Sequence, residues 1–75
     1  MKELLIYMAQ SLVDDPDAVV VKETETDNAI TYQLSVGEGD MGKVIGKQGK
    51  IAKAIRTIMK TAAIKTNKKV TVEII

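Results

Sequence analysis

The sequence predicts an α+β domain, a three-stranded sheet packed on helices in the order α-β-β-α-α-β, and three observations carry that prediction. Apolar residues recur at helical spacing near the N-terminus and again after Lys50. Two segments rich in Val, Ile, Thr and Tyr flank Asp27-Asn28, and Val70, Val72 and Ile74 alternate near the C-terminus. The 75 residues are read as one domain, 1–75, and a domain of this size buries only about 60–65% of its unfolded surface.

Each element follows from its residues. From Met1 to Val13, Leu5, Met8 and Leu12 share a helical face with Leu4 beside them, and Asp14-Asp15-Pro16-Asp17 breaks that helix. Ala18–Thr26 and Ala29–Val36 read as a hairpin turning at Asp27-Asn28. Pairing across that turn sets Leu34 opposite Val21 and Val36 opposite Val19, a common apolar face. The same register sets Tyr32 opposite Glu23 and Ile30 opposite Glu25, which predicts a hairpin tip that faces solvent. Gly37-Glu38-Gly39-Asp40 is a loop whose Asp40 is placed to N-cap a short helix, Met41 to Ile45. A second helix starts near Lys50, with Ile51, Ala54, Ile55, Ile58, Met59 and Ala62 as its core face and Lys50, Lys53, Arg56 and Lys60 elsewhere on the wheel. After Lys65-Thr66-Asn67-Lys68 comes the last strand.

Composition removes several function classes. There is no Cys and no His, so disulfides, thiolate chemistry and the commonest metal ligand and general base are missing. An enzyme is a poor reading, no cofactor or metal is expected, and a reducing cytoplasm suits the chain. The N-terminus lacks the pattern of a signal peptide, and no apolar run approaches the roughly 20 residues of a membrane helix, so no membrane partner is expected.

Net charge is +1, but residues 1–40 carry two Lys against nine Asp/Glu, net −7, and residues 41–75 carry nine Lys/Arg against Glu73, net +8. Such a basic half attracts polyanions. A solvated face is the other reading of the same charges.

The densest chemistry lies at Gly46-Lys47-Gln48-Gly49. The two glycines permit positive φ and close approach of a ligand to the backbone. The helix that follows directs unpaired N–H groups and the positive end of its dipole into the same region. Lys43, Lys47 and Lys50 surround it, and together these features suit a sugar-phosphate chain. Taken alone, G-x-x-G is also simply a turn between two helices. Other patterns fail on inspection. A P-loop needs G-x-x-x-x-G-K-[ST], and Gly42 to Gln48 is one residue short with Gln in place of the hydroxyl. Asp14, Asp15 and Asp17 around Pro16 read as a helix end and turn rather than a metal site. Gly42-x-x-x-Gly46 lies outside any apolar membrane helix.

The segment Gly42-Lys43-Val44-Ile45-Gly46-Lys47-Gln48-Gly49-Lys50 resembles the core of the K-homology (KH) family, and α-β-β-α-α-β is the order of its type II, prokaryotic form. The resemblance covers the whole chain. It implies a non-catalytic protein that clamps single-stranded RNA through the G-x-x-G loop, serving as a post-transcriptional or RNA-chaperone-type regulator. Gly46, Lys47, Gln48 and Gly49 would form the clamp, with Lys43, Lys50 and Lys53 around it. Val44 and Ile45, with Ile51 and Ile55, would supply the apolar floor and helix packing. The family pattern continues G-x-x-G-x-x-I, whereas this chain has Ala52 at the last position. The lack of Phe and Trp fits a mode that does not rely on aromatic stacking platforms. As partners the resemblance implies RNA and either a second copy or a larger KH-containing RNA-binding protein. A second reading is an interaction subunit whose apolar groove and strand edges bind protein, with RNA contact secondary.

Overall fold

A computed structural model describes residues 1–75. Its elements are α1 (Lys2–Leu12), β1 (Val20–Glu25), β2 (Ala29–Ser35), α2 (Met41–Ile45), α3 (Lys50–Ala62) and β3 (Lys69–Ile74). This is the expected α-β-β-α-α-β order. Short 3₁₀ turns at Pro16–Ala18, Lys47–Gly49 and Ile64–Thr66 connect them. The first of these turns delays β1 to Val20, because the N–H groups of Ala18 and Val19 bond back to the carbonyls of Asp15 and Pro16.

The sheet order is β1-β2-β3, with β1 antiparallel and β3 parallel to the central β2. A tight turn suffices for the first pairing. The parallel pairing needs a crossover, which α2 and α3 supply. The hairpin keeps the expected register, Val21 opposite Leu34 and Glu23 opposite Tyr32, with Thr26 and Ala29 closing the two-residue turn.

The turn and the β1 side of the tip face solvent as expected, but the β2 side does not. Ile30 and Tyr32 are buried, and only their β1 partners Glu23 and Glu25 are exposed. The reason is β3, which pairs on the other side of β2 and sets Val70 beside Ile30 and Val72 beside Tyr32. These side chains join Met59 and Ala63 in one core cluster with Leu5, Ala9 and Val44. The edge strand therefore meets water where the central strand does not.

The packing of α3 is also rotated from the expected face. Its buried stripe is Ala52, Ile55 and Met59, continued by Ala63 just past its end. Ile51 is half-buried, while Ala54, Ile58 and Ala62 are exposed. Small side chains at 52 and 63 allow close approach, and on one flank Arg56 Nε donates to the Val72 carbonyl at 3.1 Å. The larger apolar residues lie on the opposite flank, toward α1.

Candidate nucleic-acid interface

The loop between α2 and α3 has the backbone that its glycines predict. Gly46 ends α2 at φ 76° and its N–H returns to the Gly42 carbonyl at 2.8 Å. Gly49 begins α3 at φ 74°. Between them Gln48 takes φ 58°, a left-handed conformation that is uncommon for a residue with a Cβ and costs free energy. Three positive φ values within four residues turn the chain sharply and present the loop to solvent.

The two glycines are needed for different reasons. A Cβ on Gly46 would stand 2.5 Å from Cγ1 of Ile51, so this glycine makes room for the first turn of α3. At Gly49 a Cβ would meet nothing within 4 Å, and only its φ calls for glycine. Open space there is what a ligand backbone requires.

Around the loop, Lys47, Gln48, Lys50 and Lys53 are exposed, and the three lysines form no ion pair. Lys43 differs. Its ammonium pairs with Asp14 and, at 3.5 Å, with Asp40, and the hydrogen bond to Asp14 raises its pKa. Val44 is fully buried and holds α2 to the core, so it supports the loop from beneath rather than offering surface. Ile45 and Ile51 are half-buried, and Ile55 is buried. Ala52 is buried but stands apart from the core cluster.

Asp40 does not cap its own helix. Its carboxylate instead accepts the Asp15 N–H at 3.1 Å, tying the start of α2 to the turn after α1. Burial alone would raise this carboxyl, but the backbone N–H of Asp15 and the Lys43 ammonium hold it below the usual carboxylate value. Three acidic side chains close enough to hold a metal ion occur nowhere in the fold. No helix is long and apolar enough to cross a membrane.

The helical wheel sets Arg56 and Lys60 outside the apolar face of α3, and the structure gives them a position. They lie with Lys69 along the cleft between α3 and β3, around a cavity of about 100 Å³ floored by Val70 and Val72. With Lys53 they follow i, i+3, i+7 spacing. That periodicity was visible in the sequence, but the strand that forms the cleft's other wall was not. On the opposite flank of α3 lies a different surface, an apolar groove of about 270 Å³ against α1 that includes Tyr7, Leu12, Ile51, Ala54 and Ile58.

Comparison with known proteins follows the same lines. The family described as KhpA/KhpB, KH domain, matches residues 2–74. The chain is 60% identical over its whole length to a Clostridium acetobutylicum protein named RNA-binding protein KhpA, and covers all of that protein. It is 61% identical to the namesake in Clostridium perfringens, again over the full length of both chains. Against the Listeria monocytogenes protein of the same name identity is 52%, covering all of this chain and 99% of the other. Among solved structures, Aquifex aeolicus Era bound to GDP and aluminium fluoride shares the fold with a TM-score of 0.70 at 21% identity, over 97% of this chain and 28% of Era. A second Era structure, in complex with nucleotides 1506–1542 of 16S ribosomal RNA, matches with a TM-score of 0.63 over 99% of this chain and 30% of that one.

Proposed function

The chain belongs to the KhpA/KhpB family of KH-domain proteins, and on that premise we propose that it binds single-stranded RNA, without catalysis, through the loop Gly46 to Gly49. The observation that carries the reading is the solvent-facing loop with three positive φ values and Lys47, Lys50 and Lys53 left unpaired around it. An RNA backbone passing over Gly49 meets no side chain at that position, and the start of α3 offers its positive dipole end to the phosphates. The RNA named in the second Era structure belongs to Era, and the shared fold supports the same kind of ligand here. A cytoplasmic post-transcriptional or RNA-chaperone role is the setting that such binding suits.

The test replaces Lys47 and Gln48 with Asp, which keeps both glycines and sets two negative charges where phosphates would lie. RNA binding, read by fluorescence anisotropy, is expected to collapse while the helical circular dichroism persists. Undiminished binding by the double variant would overturn the clamp.

A second reading concerns partners and has its own observation. Tyr7 is 70% exposed and Ile58 45% exposed on the groove between α1 and α3. This surface faces away from the α3–β3 cleft, so a second copy or a larger KH-containing protein seated on it leaves the RNA surface free. The two readings are therefore compatible.

A further inference from the structure

The cleft between α3 and β3 does not end at Arg56. Toward the C-terminal end of α3 a second cavity of about 270 Å³ adjoins it, lined by Lys60, Ala63, Ile64, Lys68, Lys69 and Val70. The two cavities share Lys60, Lys69 and Val70 in their linings, so they lie side by side along the cleft. Lys60 lies eleven positions beyond Gly49 in the sequence, which at 1.5 Å per helical residue places it about 16 Å from the loop. The far cavity is thus a distinct stop along the same track.

Its chemistry is one-sided. Ala63, Ile64 and Val70 offer apolar faces, and Ile64 is 73% exposed at the rim. The only polar side chains in the lining are three lysines, and the Lys68 ammonium is taken by Glu25. Lys60 and Lys69 remain without an ion-pair partner. An ammonium donates three hydrogen bonds and accepts none. No lining side chain can therefore satisfy an amino group that enters the cavity beside them.

We propose that this cavity seats a guanine base and reads it through Lys60 and Lys69, making it a base-selective subsite at the far end of the RNA track. On one edge guanine presents two adjacent acceptors, O6 and N7, and keeps its own amino group on the opposite edge, whereas adenine and cytosine present an amino donor on the corresponding edge. Two unpaired ammoniums match the first pattern and leave the amino group of the other two without a partner, a mismatch that costs affinity. Uracil, with a single carbonyl on that edge, is intermediate. Aliphatic Ile64 and Val70 cover the base face in a chain that has no Phe or Trp. The inference rests on the proposed RNA binding and adds a site of selectivity to it.

The test uses short oligouridine strands carrying one guanine, adenine or cytosine at each position in turn, titrated against the whole protein by fluorescence anisotropy. At one position guanine is expected to bind about tenfold more tightly than adenine. Lys60→Met and Lys69→Met, both at exposed positions, should each bring that ratio close to one. Lys53→Met should weaken every strand alike and keep the ratio, which separates base reading from general charge. Equal binding of all strands, a preference for adenine, or a guanine preference that survives both lysine variants would overturn the subsite while leaving RNA binding in place. Failure of every strand to bind would overturn both.

Discussion

Gly46 and Gly49 are equivalent in a G-x-x-G pattern and unequal in the fold. Gly49→Ala is expected to cost about 1–2 kcal/mol, the strain of a left-handed residue with a Cβ, because nothing crowds that position. Gly46→Ala adds a collision with Ile51 and should cost clearly more. Urea midpoints for the two variants decide the matter, and equal losses would contradict the role given to Gly46. Tyr32 raises a separate question. Its hydroxyl is buried with no hydrogen-bond partner, and burial, aided by Glu23 and Glu25, pushes its pKa up to about 12. An unpaired buried hydroxyl is destabilising, so Tyr32→Phe should be neutral or stabilising by up to about 1 kcal/mol. The folded state holds the Tyr32 proton more tightly than the unfolded chain, whose tyrosine titrates near 10. The contribution of this group is therefore complete below about pH 10 and lost as pH rises through about 12. Stability of the wild type relative to Tyr32→Phe, followed by denaturant titration across alkaline pH, should fall in that window.

At the scale of elements, α3 has three working faces. One stripe, Ala52, Ile55 and Met59, holds it to the core. A cationic stripe, Arg56 and Lys60, borders the cleft with β3, with Lys53 one turn earlier on the same stripe, and an apolar stripe, Ile51, Ala54 and Ile58, borders α1. Thirteen residues, about 20 Å of helix, serve two surfaces at once. The short α2 works differently, since Lys43 on it is neutralised by Asp14 and Asp40 before any ligand arrives. Removing one phosphate contact lowers the logarithmic salt slope of single-strand binding by about 0.7. Lys50→Met and Lys53→Met are each expected to show that decrement in titrations at several salt concentrations. Lys43→Met should show less. An equal decrement for Lys43 would mean that the ion pairs release it when RNA binds.

For the whole molecule, the number of buried residues is the deciding quantity. Only 14 of 75 residues are buried, so the fold leaves apolar surface that it cannot cover by itself, and the α1–α3 groove is a continuous part of it. A clamp of about four nucleotides is too short to select a transcript alone. Two linked modules gain about 10²–10⁴ in avidity without new kinds of contact. The working unit is therefore expected to be a dimer through this groove, with twice the chain mass in sedimentation equilibrium. Ile58→Asp should return it to a monomer that still binds short RNA and loses avidity for long RNA. A wild-type protein that sediments as a monomer, alone and with long RNA, would remove the groove from this role.

The sequence by itself determined what depends on near neighbours. The hairpin register follows from two turn residues, Asp27 and Asn28, and the break between α2 and α3 follows from Gly46 and Gly49. A loop conformation is a local matter, so the G-x-x-G turn was legible before any fold was known. The tertiary structure decided what depends on partners distant in the chain. Periodicity marked apolar positions of α3 but not which neighbour covers each, and Met59 joined the sheet residues in the core while Ile58 stayed exposed. Tyr32 is buried because β3, forty positions on at Val72, pairs beside it. Lys43 is neutralised by Asp14, 29 positions away. Arg56 is anchored on the Val72 carbonyl, which places the basic stripe against a strand and so makes a cleft. A residue's charge and apolarity are its own, but its burial, its pairing and the cavity it lines belong to whatever the chain folds against it.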